Sequence, residues 1–444
     1  MNRVKRRTMS LLSLVLVIVL GMSVYVYRYA AHGEEWASFV SNRAVFSQGR
    51  LMVGTIYDRN GVVLATVEDD ERIYNEDPVI RRSTLHAVGD AYGNIGTGAL
   101  TAFAPELIGY DIVNGAYTAD HKGGKVNLTI DSELNAAAYE AMDGRKGVVA
   151  VENYETGEII CMLSSSNFDP YYPPEDVSSP EYEGVYLNRF LSAAYTPGST
   201  FKLITLTASV ETMPDLFEKT FTCNGSVEID GETVTCTGYH GDISIEEALA
   251  VSCNCAFAEL AVELGGDVLE RYANALGVTE SFEINGIATA SGNFDKAPDG
   301  STDLAWSGIG QYNDMINPAA MLRFVSAIAN DGVAADQSLL MKSSSGSERI
   351  ISSSTAETVA RMMNYNVYYT YGEDNYPGLE LYAKSGTAEV GGGADPHALF
   401  VGFIRDPDHP YAFVVIVENG GSGSRAAGRV ANAVLQAAVS KYGE

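Results

Sequence analysis

Cations, cysteines and internal repeats are all scarce in this chain. Lys and Arg number 29 against 57 Asp and Glu in 444 residues, a formal net charge of −28. A surface so acidic repels phosphate backbones, which argues against nucleic acid as a partner. The five cysteines, Cys161, Cys223, Cys236, Cys253 and Cys255, form no C-x-x-C motif and lie near no histidine cluster of ligand spacing. No metal and no cofactor is therefore expected. Cys223 and Cys236 flank a hairpin, Asn224-Gly225 to Asp230-Gly231, and stand either bonded to each other or free, while Cys253 and Cys255 read as small buried residues. Repeats and low-complexity tracts are absent, and 46% hydrophobic against 19% charged residues excludes wholesale disorder.

Long apolar runs are equally rare, and the one present is at the N-terminus. Arg3, Lys5, Arg6 and Arg7 precede Met9 to Tyr27, a run long enough to cross a bilayer core, which needs about 20 residues. Basic residues before the span and an acidic chain after it place the tail inside and everything else outside. A cleaved signal peptide is the rival reading. It is opposed by the length of the run and by Tyr29-Ala30-Ala31, a poor small-x-small site. The expected organisation is a cytoplasmic tail (1–8), a single-pass cell-membrane anchor (9–28), a small, mostly β, membrane-proximal pedestal (29–125) and an extracytoplasmic domain (126–444) of α+β class, an antiparallel sheet flanked by helices.

Within the pedestal, Val53 to Ala65 reads as a hairpin turning at Asn60-Gly61. The glycine-rich stretch Gly89 to Gly98 has no strand-to-helix context and reads as an irregular loop. Further on, Val126 to Ile130 reads as a strand, with Asp131 capping a helix after it, and Gly147 to Asn153 and Glu158 to Leu163 as paired strands. The Pro-rich loop Asn167 to Gly184 is long enough to suggest function or mobility. Apolar helices are expected at Phe201 to Ala208, Phe257 to Leu264 and Pro318 to Asn330, and strands at Leu379 to Val390, Leu399 to Ile404 and Ala412 to Glu418.

One stretch, Tyr195 to Lys202, carries chemistry. Pro197 and Gly198 break the chain before an apolar helix, so Ser199 sits at a helix start with Lys202 on the same face. A serine hydroxyl needs a base to become a nucleophile, and a lysine serves only when neutral near pH 7, a state favoured by burial and by a second cation. Alone, Ser-x-x-Lys is as readily a capping serine and a solvated lysine. His240, in His240-Gly241-Asp242, is not needed as a base, because the Ser-Lys pair already supplies one.

Two further motifs follow in order: Ser252-x-Asn254 and Lys384-Ser385-Gly386-Thr387. With Asn188-Arg189, Gly308 to Gln311, Asn317-Pro318 and Glu389, they resemble the transpeptidase domain of class B penicillin-binding proteins, serine enzymes that share an active site with the serine β-lactamases. Upstream, Asn42-Arg43 and Gly54 to Gly61 resemble the pedestal of the compact single-pass members, except that Val53 stands where the family usually has Arg.

The resemblance implies a peptidoglycan D,D-transpeptidase acting on stem peptides that end in D-Ala-D-Ala and acylated by β-lactam antibiotics. Ser199 is implied as nucleophile, Lys202 as its base, and Ser252 as proton relay to the departing D-Ala. Asn254 would bind the substrate amide and hold Lys202. Lys384 and Thr387 would bind the terminal carboxylate, supported by Ser385, and the backbone N–H groups of Ser199 and Thr387 would form the oxyanion hole. Gly386 is expected to make room for a substrate backbone lying along its strand. Glu389 is either solvated or a holder of the acceptor amine, and the tyrosines from Tyr365 to Tyr376 are either core packing or a substrate lip. No glycosyltransferase domain fits between the anchor and residue 125, so the resemblance implies a SEDS-family membrane glycosyltransferase as partner. The rivals are a β-lactamase, opposed by Asn254 and by the pedestal, and a sensor or scaffold whose chemistry is secondary.

Overall fold

The computed structural model describes residues 2–37, 46–47, 50–69, 71–109, 123–341 and 346–442. Its first element is the helix Asn2–Ala37, in which Arg3–Gly33 is long and apolar enough to cross a membrane. The helix continues beyond the expected span of 9–28 at both ends, through charged residues as well as apolar ones. Asn42-Arg43 lies outside the described residues.

The pedestal is not mostly β as expected: a four-stranded sheet ordered Glu71–Tyr74, Val63–Glu68, Thr55–Tyr57, Lys125–Asn127 is joined by the short helices Pro78–Ser83, Leu85–Val88, Ala99–Ala102 and Ala104–Ile108. The expected hairpin is the middle of this sheet, with Ile56 opposite Ala65 and Gly61 at φ +82°, a left-handed turn position that glycine occupies without strain. Asp58 makes this turn and also the joint to the next domain. Its Oδ1 accepts from the amides of Asn60 and Val62 at 2.8 Å each, and its Oδ2 accepts from the Ser132 hydroxyl at 2.7 Å. The fourth strand corrects the expected boundary at 125/126: Lys125–Asn127 pairs in parallel with Thr55–Tyr57, inside the pedestal sheet. Leu128 joins the two regions, its amide donating to the Tyr57 carbonyl at 2.9 Å while it bridges to Leu340.

Asp131 then caps the helix Ser132–Met142, accepting from the amides of Glu133 and Leu134. The central sheet has five strands ordered Leu381–Ala388, His397–Ile404, Tyr411–Val417, Gly147–Asn153, Ile159–Ser165, every neighbouring pair antiparallel. Both faces are covered, so its strands are nearly continuous apolar runs. Val149 and Val151 face the helices Ser132–Met142 and Gly423–Tyr442, while Val148 and Ala150 face the helical body that contains Pro318–Ala329. The edge strand Leu381–Ala388 is left open on the side where the site forms.

The loop from Asn167 to Gly184 docks on the pedestal. Asp169 accepts from Arg81 at 2.8 and 2.6 Å, and the Tyr171 hydroxyl accepts from the Tyr74 amide at 2.8 Å. Gly89 to Gly98 is the expected loop, organised by Asp90, whose carboxylate accepts from the amides of Tyr92 and Ile95.

Candidate active site

Ser199 occupies a single 3-10 turn, Gly198–Thr200, ahead of the helix Lys202–Thr212. The expected helix start therefore lies one turn later than Ser199, with Lys202 as the first α-helical residue. This helix runs through the core, and Lys202 to Ser209 are all buried, the polar Thr205, Thr207 and Ser209 with them. The approach to Ser199 is held from outside: Tyr195 donates to Glu418 Oε1 at 2.8 Å, and Arg189 donates to the same oxygen at 2.8 Å. Gly198, at φ +51°, donates its amide to the Gly310 carbonyl at 2.9 Å, and a Cβ on Gly310 would stand 2.2 Å from the Gly198 oxygen. Only glycine fits there.

The second motif sits on a corner between two helices. Ile245–Ala250 ends with the Cys253 amide donating back to the Ala248 carbonyl at 2.8 Å, and Ser252 takes the left-handed conformation, φ +54°, that such an ending requires. The next helix, Asn254–Leu264, starts at once. Ser252 is thus the turn residue after one helix rather than a cap before the next, and its hydroxyl projects at the tip of the corner.

Three motifs converge on that hydroxyl. Lys202 Nζ donates to Ser252 Oγ at 3.2 Å, to the Ser252 carbonyl at 2.7 Å and to Asn254 Oδ1 at 2.8 Å. Lys384 Nζ donates to Ser252 Oγ at 3.1 Å and to the Ser385 carbonyl at 2.7 Å. Both lysines are fully buried. Burial pulls Lys202 down to about 8, and burial together with the charge of Lys202 pulls Lys384 well below its ordinary range. Two buried ammonium groups sharing one hydroxyl repel, so the pair sheds a proton readily.

Ser199, Ser252, Asn254, Ser385, Thr387 and Glu389 line one open cleft. Gly386 is also bare for a packing reason inside the protein. A Cβ on it would meet Thr200 Cγ2 at 2.9 Å and the Pro197 oxygen at 3.1 Å, so its bareness lets the Ser199 turn pack against the strand. Among the tyrosines, Tyr371 and Tyr376 are packed in the core. Tyr371 lies beneath the third motif, donating to Ser385 Oγ at 3.0 Å and accepting from the Ser385 amide at 2.8 Å. Burial pushes its phenol up, so it stays a donor. Sequence reasoning assigned no role to Gln311, which donates to the Thr387 carbonyl at 3.0 Å, or to Trp306, Thr235, Cys236 and Thr237, which complete the cleft wall.

Cys253 and Cys255 are buried as expected, and one cysteine expectation needs correction. All five cysteines are free thiols. The hairpin between Cys223 and Cys236 is present, pairing Ser226 with Thr235 and turning at Asp230-Gly231, yet instead of a disulfide it brings both cysteines beside Cys253 and His240. The ligand atoms of these four residues all lie within 4.8 Å of one another, against the expectation that no metal-ligating set exists. Folding supplies the proximity that linear spacing hid.

Residues 147–438 match the transpeptidase domain of penicillin binding proteins. The chain belongs to the class B penicillin-binding proteins. It is 30% identical over 348 residues, 70% of either chain, to a protein named peptidoglycan D,D-transpeptidase PbpA from Mycolicibacterium smegmatis. Its fold matches the D,D-transpeptidase domain of a peptidoglycan glycosyltransferase from Eggerthella lenta, with a TM-score of 0.77 and 26% identity over 88% of this chain and 99% of that one. It also matches the penicillin G acyl-enzyme of penicillin-binding protein A from M. tuberculosis, with a TM-score of 0.76 and 25% identity over 87% of this chain and 99% of that one. Among the described residues one helix is long and apolar enough to cross a membrane, which makes this a single-pass membrane protein.

Proposed function

We propose that this class B penicillin-binding protein cross-links peptidoglycan by acyl transfer through Ser199, and that the meeting of Lys202 and Lys384 on the Ser252 hydroxyl organises the reaction. A substrate carboxylate arriving at Lys384 and Thr387 favours the ammonium form of Lys384, which leaves Lys202 as the free base. Neutral Lys202 takes the Ser199 proton as the hydroxyl oxygen attacks the carbonyl of the penultimate D-Ala. The negative oxygen that develops is met by the backbone N–H groups of Ser199 and Thr387. The proton then passes from Lys202 through Ser252, already within hydrogen-bond reach, to the nitrogen of the departing D-Ala. The C–N bond breaks and an ester on Ser199 remains. An amine from a neighbouring stem peptide attacks that ester and loses its proton along the same path, forming the cross-link and restoring the serine. A β-lactam enters by the same first step, but its ring amine stays tethered, which accounts for covalent inhibition.

The basic tail before the anchor supports an extracytoplasmic catalytic domain. Glycan strands would come from a separate SEDS-type membrane glycosyltransferase, the partner that the family resemblance implies.

Covalent labelling by a fluorescent penicillin tests the core of this reading. Ser199→Ala is expected to abolish labelling while the chain stays folded. Undiminished labelling, or an acyl adduct mapped by mass spectrometry to another serine, refutes it.

A further inference from the structure

We infer that Cys223, Cys236, His240 and Cys253 form a structural zinc(II) site directly behind the second catalytic motif. A tetrahedral site with Zn–S near 2.3 Å and Zn–N near 2.0 Å holds its ligand atoms about 3.5 to 3.8 Å apart. Cys236 Sγ lies 3.9 Å from Cys253 Sγ and 3.6 Å from His240 Nδ1, and the ligand atoms of all four residues lie within 4.8 Å of one another. Three thiolates and one imidazole are the donor set of closed structural zinc sites. The surroundings suit thiolate ligands: the Asn254 amide donates to Cys236 Sγ at 3.3 Å, and the fifth cysteine, Cys255, lies 3.6 Å from Cys223 Sγ, placed to donate its S–H once Cys223 is ionised. Cys223 and Cys253 are buried, while Cys236 and His240 are partly exposed, so an ion has a route in from solvent. Binding releases the three thiol protons to solvent and leaves each sulfur bonded to the metal, with no change of oxidation state.

The ligands come from three segments, and that gives the site its consequence. Cys223 ends the strand Phe221–Cys223, Cys236 and His240 follow the hairpin strand Glu232–Thr235, and Cys253 lies between Ser252 and Asn254. The same hairpin edge already receives a bond from Asn254 Nδ2 on the Thr235 carbonyl at 2.9 Å, and Thr235, Cys236 and Thr237 form a wall of the cleft. A bound ion would fasten that wall to the corner carrying Ser252, making these four positioning residues for the relay and for Lys202.

The test uses the detergent-solubilised full chain. Elemental analysis is expected to find about one zinc per chain. Cobalt(II) exchanged into the chelated protein is expected to give the thiolate-to-metal charge-transfer bands of a tetrahedral site. Cys236→Ser and His240→Ala should lose the metal, whereas Cys161→Ser, remote from the cluster, should keep it. Wild-type protein stripped by a chelator serves as the form that needs no substitution. Its acylation by a β-lactam at saturation should slow and recover on adding zinc, a readout that rests on the proposed active site, whereas metal content does not. Failure of the stripped, reduced chain to take up zinc or cobalt overturns the site. So does finding Cys236 joined to Cys253, or Cys223 to Cys255, by a disulfide in freshly isolated protein. Unchanged acylation of a verified metal-free chain overturns the positioning role.

Discussion

Ser252 combines a backbone that resists its side chain with a hydroxyl that holds two buried amines, and two substitutions separate these roles. At φ +54° the left-handed conformation costs a residue with a Cβ about 1 to 2 kcal/mol relative to the right-handed one, whereas glycine adopts it freely. Ser252→Gly removes the hydroxyl and relieves the backbone; Ser252→Ala removes the hydroxyl and keeps the strain. Both lose the oxygen that accepts from Lys202 at 3.2 Å and Lys384 at 3.1 Å, so that cost cancels between them. Added freedom of glycine in the unfolded chain offsets part of the gain, by roughly 0.4 to 1 kcal/mol. The Gly variant is therefore expected to be more stable than the Ala variant by about 1 kcal/mol, or about 2 to 3 °C in Tm for a domain of this size. Acylation at saturating β-lactam should fall in both by a similar factor, roughly 10²- to 10⁴-fold, the usual contribution of a positioned proton-transfer group. Calorimetry and stopped-flow acylation on matched preparations decide the outcome. Equal stabilities, or an Ala variant more stable than the Gly variant, would refute the left-handed corner. Wild-type acylation in either variant would refute the relay.

Two other outcomes follow from geometry. Lys384→Met removes an amine that a bound carboxylate holds as an ammonium no more than about 6 Å from Lys202, a separation at which two charges repel by roughly 3 kcal/mol at an effective dielectric of about 20. Because the reactive form is neutral Lys202, acylation rises with pH through its folded pKa, near 8 in the wild type. The midpoint at saturating β-lactam should move to higher pH in the variant, by at most about 2 units, and an unmoved midpoint breaks the proposed coupling. Asp58→Ala strips the pedestal joint of the acceptor for the Asn60 and Val62 amides and for Ser132. A loss of about 2 to 4 kcal/mol is expected, read as a lower Tm together with earlier proteolytic separation of the pedestal. Unaltered stability would show that the joint is held elsewhere.

What the sequence disclosed tracks how local the cause is. Gly147–Asn153 was legible to the residue, because a strand buried on both faces must be apolar at every step and ends where the turn begins. The hairpin at Asn60-Gly61 and the cap Asp131 were legible for the same reason: a side chain and a backbone amide a few residues apart decide them. The catalytic triplet was legible only through its order along the chain, since nothing local joins Lys202 to Lys384. The structure adds the shared contact point, Ser252. Long-range register explains the failures. Cys223 meets Gly241 across one ladder while the hairpin between them pairs Ser226 with Thr235, and these two pairings fold the cysteines onto His240. The boundary at 125/126 failed likewise, because Lys125–Asn127 finds its partner strand across most of the pedestal.

The site concentrates several features that oppose folding. Two lysines are wholly buried, and Ser252 holds a conformation that most side chains avoid. Burying an amine without full compensation costs several kcal/mol, so these features persist only where the surroundings over-determine them. Part of the compensation is visible: Lys202 is held by three acceptors and lies 5.5 Å from the centre of the Phe257 ring, and Lys384 is held by two acceptors. Ser252 itself stands on a three-residue link between helices, Val251 to Cys253, which a single displaced turn would undo. That link is where Cys253 lies, facing three other ligand groups. A metal bond there would add to the backbone bonds from Ser252 to Leu249 and from Cys253 to Ala248 that already hold this link, and it would do so without filling the cleft. On this view the thiol cluster and the catalytic corner are one device, and the stability lost by removing zinc should be concentrated in the segment from Cys223 to Asn254. Hydrogen exchange of the stripped chain should therefore rise there first, ahead of the central sheet; uniform loss of protection would place the metal's effect elsewhere.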